Sequence, residues 1–219
     1  MFIELNGVRL FYEKRGEGRP LLLVHGNGED HTIFDQALLL LEKHYCCYTI
    51  DSRCHGQSSE GPLHYSAMAA DMLAFLEALE LRDAIFYGFS DGGIVGLLTA
   101  AETERITTLI VSGANLTPNG VKPSLRLLVR AMYWRTKDPK LALMLREPWI
   151  SDDVLHRIRA NTLVLAGSRD VIPVRESRHI AEAIPGAELR ILPGEDHGSY
   201  IVHRDKIAKL IMEACRIGS

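Results

Sequence analysis

Residues 84–93 read AIFYGFSDGG. Up to Gly88 the stretch is apolar, aromatic and β-prone; it then breaks into small and acidic residues, and residues 94–101 resume an apolar pattern at helical spacing. A chain that passes straight from a buried strand into a helix must bend sharply at one residue. The residues on either side must be small, because Cβ atoms would collide as the helix packs on the sheet. Gly88 and Gly92 meet that need, and Ser90 between them is left projecting at the carboxyl edge of the sheet, where open α/β folds bind ligands. The G-x-S-x-G pattern takes its meaning from the strand before it and the helix after it. The plainer alternative is a tight turn whose serine is merely small.

Working outward, residues 2–5 and 9–14 read as a hairpin around Asn6-Gly7. Residues 20–24 form a buried strand leading into His25-Gly26-Asn27-Gly28, followed by a helix over 32–43 and a strand over 46–51. After SRCHGQSS, residues 66–81 carry Met68, Met72, Leu73, Leu76 and Leu79 at helical spacing. Strand 84–88, helix 92–101 and strand 106–112 come next; strand 161–166, helix 174–183, strand 188–192 and a closing helix over 199–216 end the chain. This alternation predicts one domain over residues 1–219, a doubly wound and mostly parallel α/β sheet with helices on both faces. Residues 115–150 break the rhythm with four prolines, both tryptophans and one or two short helices, and are expected to form a short cap or lid.

The composition, 47% apolar and 24% charged, is that of an ordinary soluble globular protein. Net charge is −3 with Lys and Arg scattered, which gives no basic stripe for nucleic acid or a membrane surface. The basic run 126–135 is interleaved with apolar residues and reads as an amphipathic helix with a solvated face. No apolar run approaches the roughly eighteen residues a membrane span needs. The opening MFIELNGVRL has neither the basic nor the apolar region of a secretory signal. Cys46, Cys47, Cys54 and Cys215 show neither a disulfide framework nor zinc-ligand spacing, so a reduced, cytoplasmic protein is expected.

A serine hydroxyl attacks only when a base takes its proton and an acid holds that base in the right tautomer. Behind such an elbow the partners follow in the order Ser, Asp or Glu, His, each just after a strand. Asp170 follows TLVLA and the turn Gly167-Ser168-Arg169, and His197 lies in LPGEDHGSY after ELRIL. Their plainer readings are a helix-initiating carboxylate ahead of Pro173 and a solvated loop histidine. Asp196 is expected to point away from its neighbour, and Ser112-Gly113-Ala114-Asn115 offers no rival acid. His44, His64, His156, His179 and His203 sit in helices or polar loops and read as solvated. No histidine–carboxylate cluster has metal-site spacing, so neither a metal nor a cofactor is expected. A tetrahedral oxyanion needs amide donors. The Asp91 N–H at the helix start is one candidate and the Asn27 N–H in the Gly-rich loop the other, that loop reading otherwise as an ordinary turn.

HGNG (25–28), DSRCHGQS (51–58), GFSDGG (88–93), GSRDVIP (167–173) and DHGSY (196–200) together resemble the α/β-hydrolase superfamily, in that family's order. The resemblance implies a cofactor-free serine hydrolase of small carboxylic esters, with Ser90 as nucleophile, His197 as base and Asp170 as its acid. The same groups serve thioesters, lactones and C–C bonds elsewhere in the superfamily, and some members are ligand-binding receptors. Serine at position 90 argues against the branches that use an aspartate nucleophile. Two departures matter. Cys54 replaces the glycine of D-x-R-G-H-G-x-S, and the cap is short, implying a shallow or open site. The elbow is also similar to that of hydrolases acting on α-amino-acid esters, where the Asp91 carboxylate would meet a cationic group; otherwise it is a helix N-terminal acid. Phe89, Met132, Tyr133, Trp134, Met144 and Trp149 are candidates to line an apolar pocket, with core packing as the alternative.

Overall fold

The computed structural model describes residues 1–216. The hairpin pairs β1 (Phe2–Leu5) with β2 (Val8–Arg15) antiparallel around Asn6-Gly7, both with positive φ as a tight hairpin turn requires. The remaining strands are β3 (Arg19–Val24), β4 (Tyr45–Ile50), β5 (Ala84–Phe89), β6 (Ile106–Ser112), β7 (Asn161–Gly167) and β8 (Glu188–Leu192). They form one eight-stranded sheet in the order β1-β2-β4-β3-β5-β6-β7-β8, antiparallel as far as the β2–β4 pair and parallel from there on. The doubly wound, mostly parallel sheet expected from the alternation is therefore the architecture found.

Alternation of side chains along these strands divides the core. Leu22, Val24, Phe86, Leu109 and Val111 face one cluster, with Met68, Met72 and Phe75 of α2 (Tyr65–Ala78) and Ile94 and Leu97 of α3 (Asp91–Ala100). Leu21, Leu23, Ile85, Tyr87 and Ile110 face the other, with Leu38 and Leu41 of α1 (Asp35–Leu41) and Ile207 and Ile211 of α8 (Lys206–Arg216). Period-two strands buried on both faces read as continuous apolar runs, and helices fill both sides.

The differences lie at helix ends and in the insertion. Residues 32–43 begin as a 3-10 turn, His31–Phe34, before α1. The closing helix starts at Lys206 rather than at 199, because residues 199–203 are taken up by turns. Between β6 and β7 the chain builds α4 (Pro123–Thr136) and α5 (Pro139–Arg146), each opened by a proline at its first position. A further single turn, α6 (Asp152–Leu155), precedes β7, and α7 (Val174–Ala183) joins β7 to β8. At fourteen residues α4 is as long as α2, so it is not the short helix expected. The insertion begins and ends side by side: the Ile150 N–H donates to Leu116 O at 2.9 Å.

Candidate active site

Val24 lies opposite both Ile50 and Gly88 in the register, so β3, β4 and β5 end together and the residues after them share one edge. There the elbow forms. Ser90 has φ +53° and ψ −113°, a left-handed backbone that costs a non-glycine residue roughly 1–3 kcal/mol. Its neighbours have no room for a side chain. A Cβ at Gly88 would sit 2.1 Å from Gly92 O, and one at Gly92 would sit 2.1 Å from Val24 O. The strain is held by main-chain bonds: Ser90 N–H donates to Ser112 O at 2.8 Å, and Gly92 N–H to His25 O at 3.1 Å. The second of these ties the start of α3 to the loop after β3.

Ser90 Oγ lies 3.1 Å from His197 Nε2, and His197 Nδ1 lies 2.7 Å from Asp170 Oδ1. Three loops, after β5, β7 and β8, thus bring the serine, the acid and the histidine into one hydrogen-bonded line. Asp170 is buried; its Oδ1 also accepts from Ile172 N–H at 2.8 Å, while its Oδ2 is buried with no partner among the described residues. With Oδ1 held by the Ile172 amide, the carboxylate fixes which way the imidazole ring faces. Asp196 is exposed and turns away, accepting from the Gly198 and Ser199 amides at 3.1 and 2.9 Å, which lowers its own pKa. Such a line can take a proton from the serine as it attacks a carbonyl and return it to the leaving group.

Asn27 N–H and Asp91 N–H have no hydrogen-bond partner among the described residues, and they flank the serine from the β3 loop and the first turn of α3. Their side chains are joined, Asn27 Nδ2 donating to Asp91 Oδ2 at 2.8 Å. Tyr65 Oη donates to Asp91 Oδ1, also at 2.8 Å. Burial pushes the Asp91 carboxyl above its ordinary pKa, with the Asn27 and Tyr65 donors pulling the other way. Two groups gathered here lack any local sequence signal. Glu29 accepts from Gly26 N–H at 2.9 Å; a methyl group on Gly26 would lie 2.7 Å from Glu29 Oε2 and 3.0 Å from Ser90 Cβ, so the carboxylate rests beside the serine. Burial raises its pKa against the opposing pull of the Gly26 amide and His197. Glu147, at the end of α5, accepts from Tyr65 N–H at 3.1 Å and pairs with His64 Nδ1 at 2.5 Å. His64 is therefore paired rather than simply solvated.

Ser90, Asp91, Tyr65 and His197 open onto a cavity closed from above by the insertion, through Leu125 and Val129 of α4 and Met144 of α5. Its internal volume is about 40 Å³, so it is narrow rather than shallow and open. A larger hollow at the opposite ends of the parallel strands, around Arg19, Asn161 and Arg190, contains none of these groups. Met144 lines the cavity, and three other candidates do not. Trp134 and Trp149 are 76% and 71% exposed and do not line it. Val129 points inward, and Trp134, five residues on, falls about 140° around the helix. Trp149 is flanked by buried Pro148 and Ile150, and its own ring is turned outward, donating to Arg146 O at 2.8 Å. Phe89 is buried with its ring 4.9 Å from the His197 ring, a support for the histidine rather than a cavity wall. Met132 is exposed as well.

Cys54 adopts φ +63°, the left-handed conformation that suits glycine, and its Sγ reaches Gly61 O at 3.3 Å. The flanking histidines are buried and neutral. His25 donates from Nδ1 to Gly26 O at 2.8 Å, accepts at Nε2 from Ser52 N–H at 3.0 Å, and is held down to about 4 by burial. Burial also lowers His55, whose Nδ1 is 2.9 Å from Arg53 O. Asp30, His31 and Asp51 come within metal-ligand reach of one another, but His31 Nδ1 is already bonded to Asp51 Oδ1 at 2.8 Å.

Known proteins frame this geometry. The AB hydrolase superfamily protein YisY of Bacillus subtilis is 27% identical over 258 aligned positions, covering 94% of this chain and 95% of the relative. That span exceeds the 219 residues here, so YisY carries segments this chain lacks. The human serine hydrolase BPHL is 26% identical over 95% of this chain and 83% of its own. In fold, the chain is similar to the esterase EaEST of Exiguobacterium antarcticum, with a TM-score of 0.85 at 22% identity over 98% of each chain. The model of the alpha/beta hydrolase family matches residues 21–152, well over half of the sequence, and the chain belongs to that family.

Proposed function

We propose that the protein is a serine hydrolase that cleaves small carboxylic esters through an acyl-enzyme. The observation that carries this reading is the line Ser90 Oγ–His197 Nε2–His197 Nδ1–Asp170 Oδ1, at 3.1 and 2.7 Å, with two unengaged amides beside the serine. Ser90 attacks the ester carbonyl while His197 Nε2 takes the hydroxyl proton, and Asp170 steadies the imidazolium that forms. The Asn27 and Asp91 N–H groups receive the oxyanion, and the positive end of α3 adds to their field. His197 then protonates the departing alcohol, and water, deprotonated by the same nitrogen, releases the acid. The narrow cavity and its apolar roof suit a small acyl group. Three of the four free cysteines are buried, in keeping with a cytoplasmic setting.

The test is p-nitrophenyl release from acetyl, butyryl and octanoyl esters by wild type and Ser90→Ala. Serine-dependent turnover that falls with acyl length is expected, with Ser90→Ala lowering kcat at least about a thousandfold at unchanged far-UV circular dichroism. Equal rates for wild type and variant would remove the serine mechanism and leave binding without turnover.

One observation favours a narrower substrate. The Asp91 carboxylate opens on the cavity, is buried, and is met only by neutral donors, so a substrate ammonium group on the acyl side would supply its missing countercharge. Matched α-aminoacyl and plain acyl esters decide this. A preference for the amino ester that vanishes in Asp91→Asn supports it, and equal rates for the two esters in wild type refute it.

A further inference from the structure

Helix α4 has two faces. Leu125 and Val129 close the cavity, while Leu127, Leu128, Ala131 and Trp134 share the opposite side, three to four residues apart. That outer face is bare: Leu127 is 69% exposed and Leu128 56%. Of the nine large hydrophobic residues exposed among the described residues, five (Leu127, Leu128, Met132, Trp134 and Trp149) belong to the insertion. Single exposed apolar side chains are ordinary, but this clustering is not.

The charge of the same segment is as uneven. Residues 115–150 hold seven lysines and arginines against two acids, Asp138 and Glu147, a net of +5 in a chain whose total is −3. The remaining residues therefore carry −8. Scattered along the whole sequence, the cations show no stripe; on α4, helical spacing puts Arg130 at the border of the apolar face and Arg135 on that face at the helix's last turn. Among the described residues none of the seven forms an ion pair with a carboxylate.

We propose that the outer face of the insertion docks on an anionic lipid surface, with Leu127, Leu128 and Trp134 at the headgroup boundary and these arginines on lipid phosphates. An exposed helix with leucines and an indole on one side and arginines at its border and last turn has the pattern of helices that lie in a membrane interface. Each basic residue near such a surface adds to the attraction, and anionic lipid is concentrated on the cytoplasmic leaflet. A second copy of the chain fits poorly, since matching faces would bring two +5 segments together. This surface does not depend on the hydrolase reading.

Both tryptophans of the chain lie on the insertion and are exposed, so tryptophan emission excited at a wavelength that tyrosine does not absorb reports the insertion. The protein is titrated at low ionic strength with vesicles of mixed phosphatidylglycerol and phosphatidylcholine, with phosphatidylcholine vesicles, and with polyglutamate. Emission is followed together with co-sedimentation. The expected result is a blue shift and sedimentation with the anionic vesicles only, reversed by salt. Leu127→Asp/Leu128→Asp should weaken partitioning by roughly tenfold or more, and because both side chains are exposed its helix content should not change. Three results would overturn the proposal: no association with anionic vesicles, wild-type association by the double variant, or an equal shift with polyglutamate, which would point to an acidic protein instead.

Discussion

Asn27 and Asp91, sixty-four residues apart, share a 2.8 Å hydrogen bond in which the Asn27 side-chain amide donates to the Asp91 carboxylate. The same nitrogen also donates to Lys140 O at 3.2 Å. One side chain thus joins the loop after β3, the start of α3 and the start of α5. Asn27→Ala keeps the backbone amide but removes this tie. We expect kcat on a small ester to fall about tenfold with KM nearly unchanged, since a misplaced oxyanion donor acts on the transition state. A rise in KM alone would assign the side chain to substrate binding.

Acid should weaken the fold by forcing charge onto buried histidines. His25 is held down to about 4 in the folded chain against 6.5 when unfolded, and His55 is lowered in the same direction. Above pH 6.5 both states are neutral and nothing changes. As pH falls from 6.5 towards 4 the unfolded chain binds protons that the folded chain refuses, so stability declines, by on the order of 3 kcal/mol for His25 alone. Urea midpoints measured across that window should drop in wild type. The decline should be smaller in His25→Gln once its own stability loss is subtracted, and parallel curves would assign the acid sensitivity to other groups.

Arg53 and Asp71 form a buried bidentate pair, with both N–O distances 2.7 Å and side-chain exposures of 4% and 1%. Removing one partner strands the other charge. Asp71→Ala should cost about 3–5 kcal/mol, read as a lower urea midpoint. A loss below about 1 kcal/mol, the range of exposed pairs, would mean that water reaches Arg53.

Cys54 sits where its backbone favours glycine. Cys54→Gly should raise the urea midpoint by the equivalent of up to about 1 kcal/mol, because relief of the left-handed strain outweighs the weak Sγ–Gly61 O contact. A loss of stability would show that packing of the buried thiol is worth more than the strain.

What the sequence made legible was local. Gly88-Phe89-Ser90-Asp91-Gly92 carries its own strand, turn and helix, so the place of Ser90 followed from steric rules over ten residues. Asp170 and His197 could be placed by the same reasoning, each just past an apolar strand. The insertion resisted it. The phase of α4 is set by contact with α5 and the cavity, not by a hydrophobic stripe, since both of its long faces hold leucine or tryptophan. Trp134 therefore read as a lining residue and emerged on the outside. Glu29, Tyr65 and Glu147 belong to segments that meet only in three dimensions, and no spacing announces them.

The bond between Leu116 and Ile150 closes the stem of the insertion, so its two ends leave the sheet at one point. The groups proposed for bond cleavage all lie outside that stem, and several are fixed by main-chain contacts at Gly88, Gly92 and His25. The segment that roofs the cavity is thus a cassette. A loop of different length between positions 116 and 150 would leave the strand register as it is, but it would have to replace two ties to the site, Asn27 Nδ2 to Lys140 O and Lys122 N–H to Val171 O beside Asp170. Exchanging what the protein accepts therefore also touches how firmly its reacting groups are held.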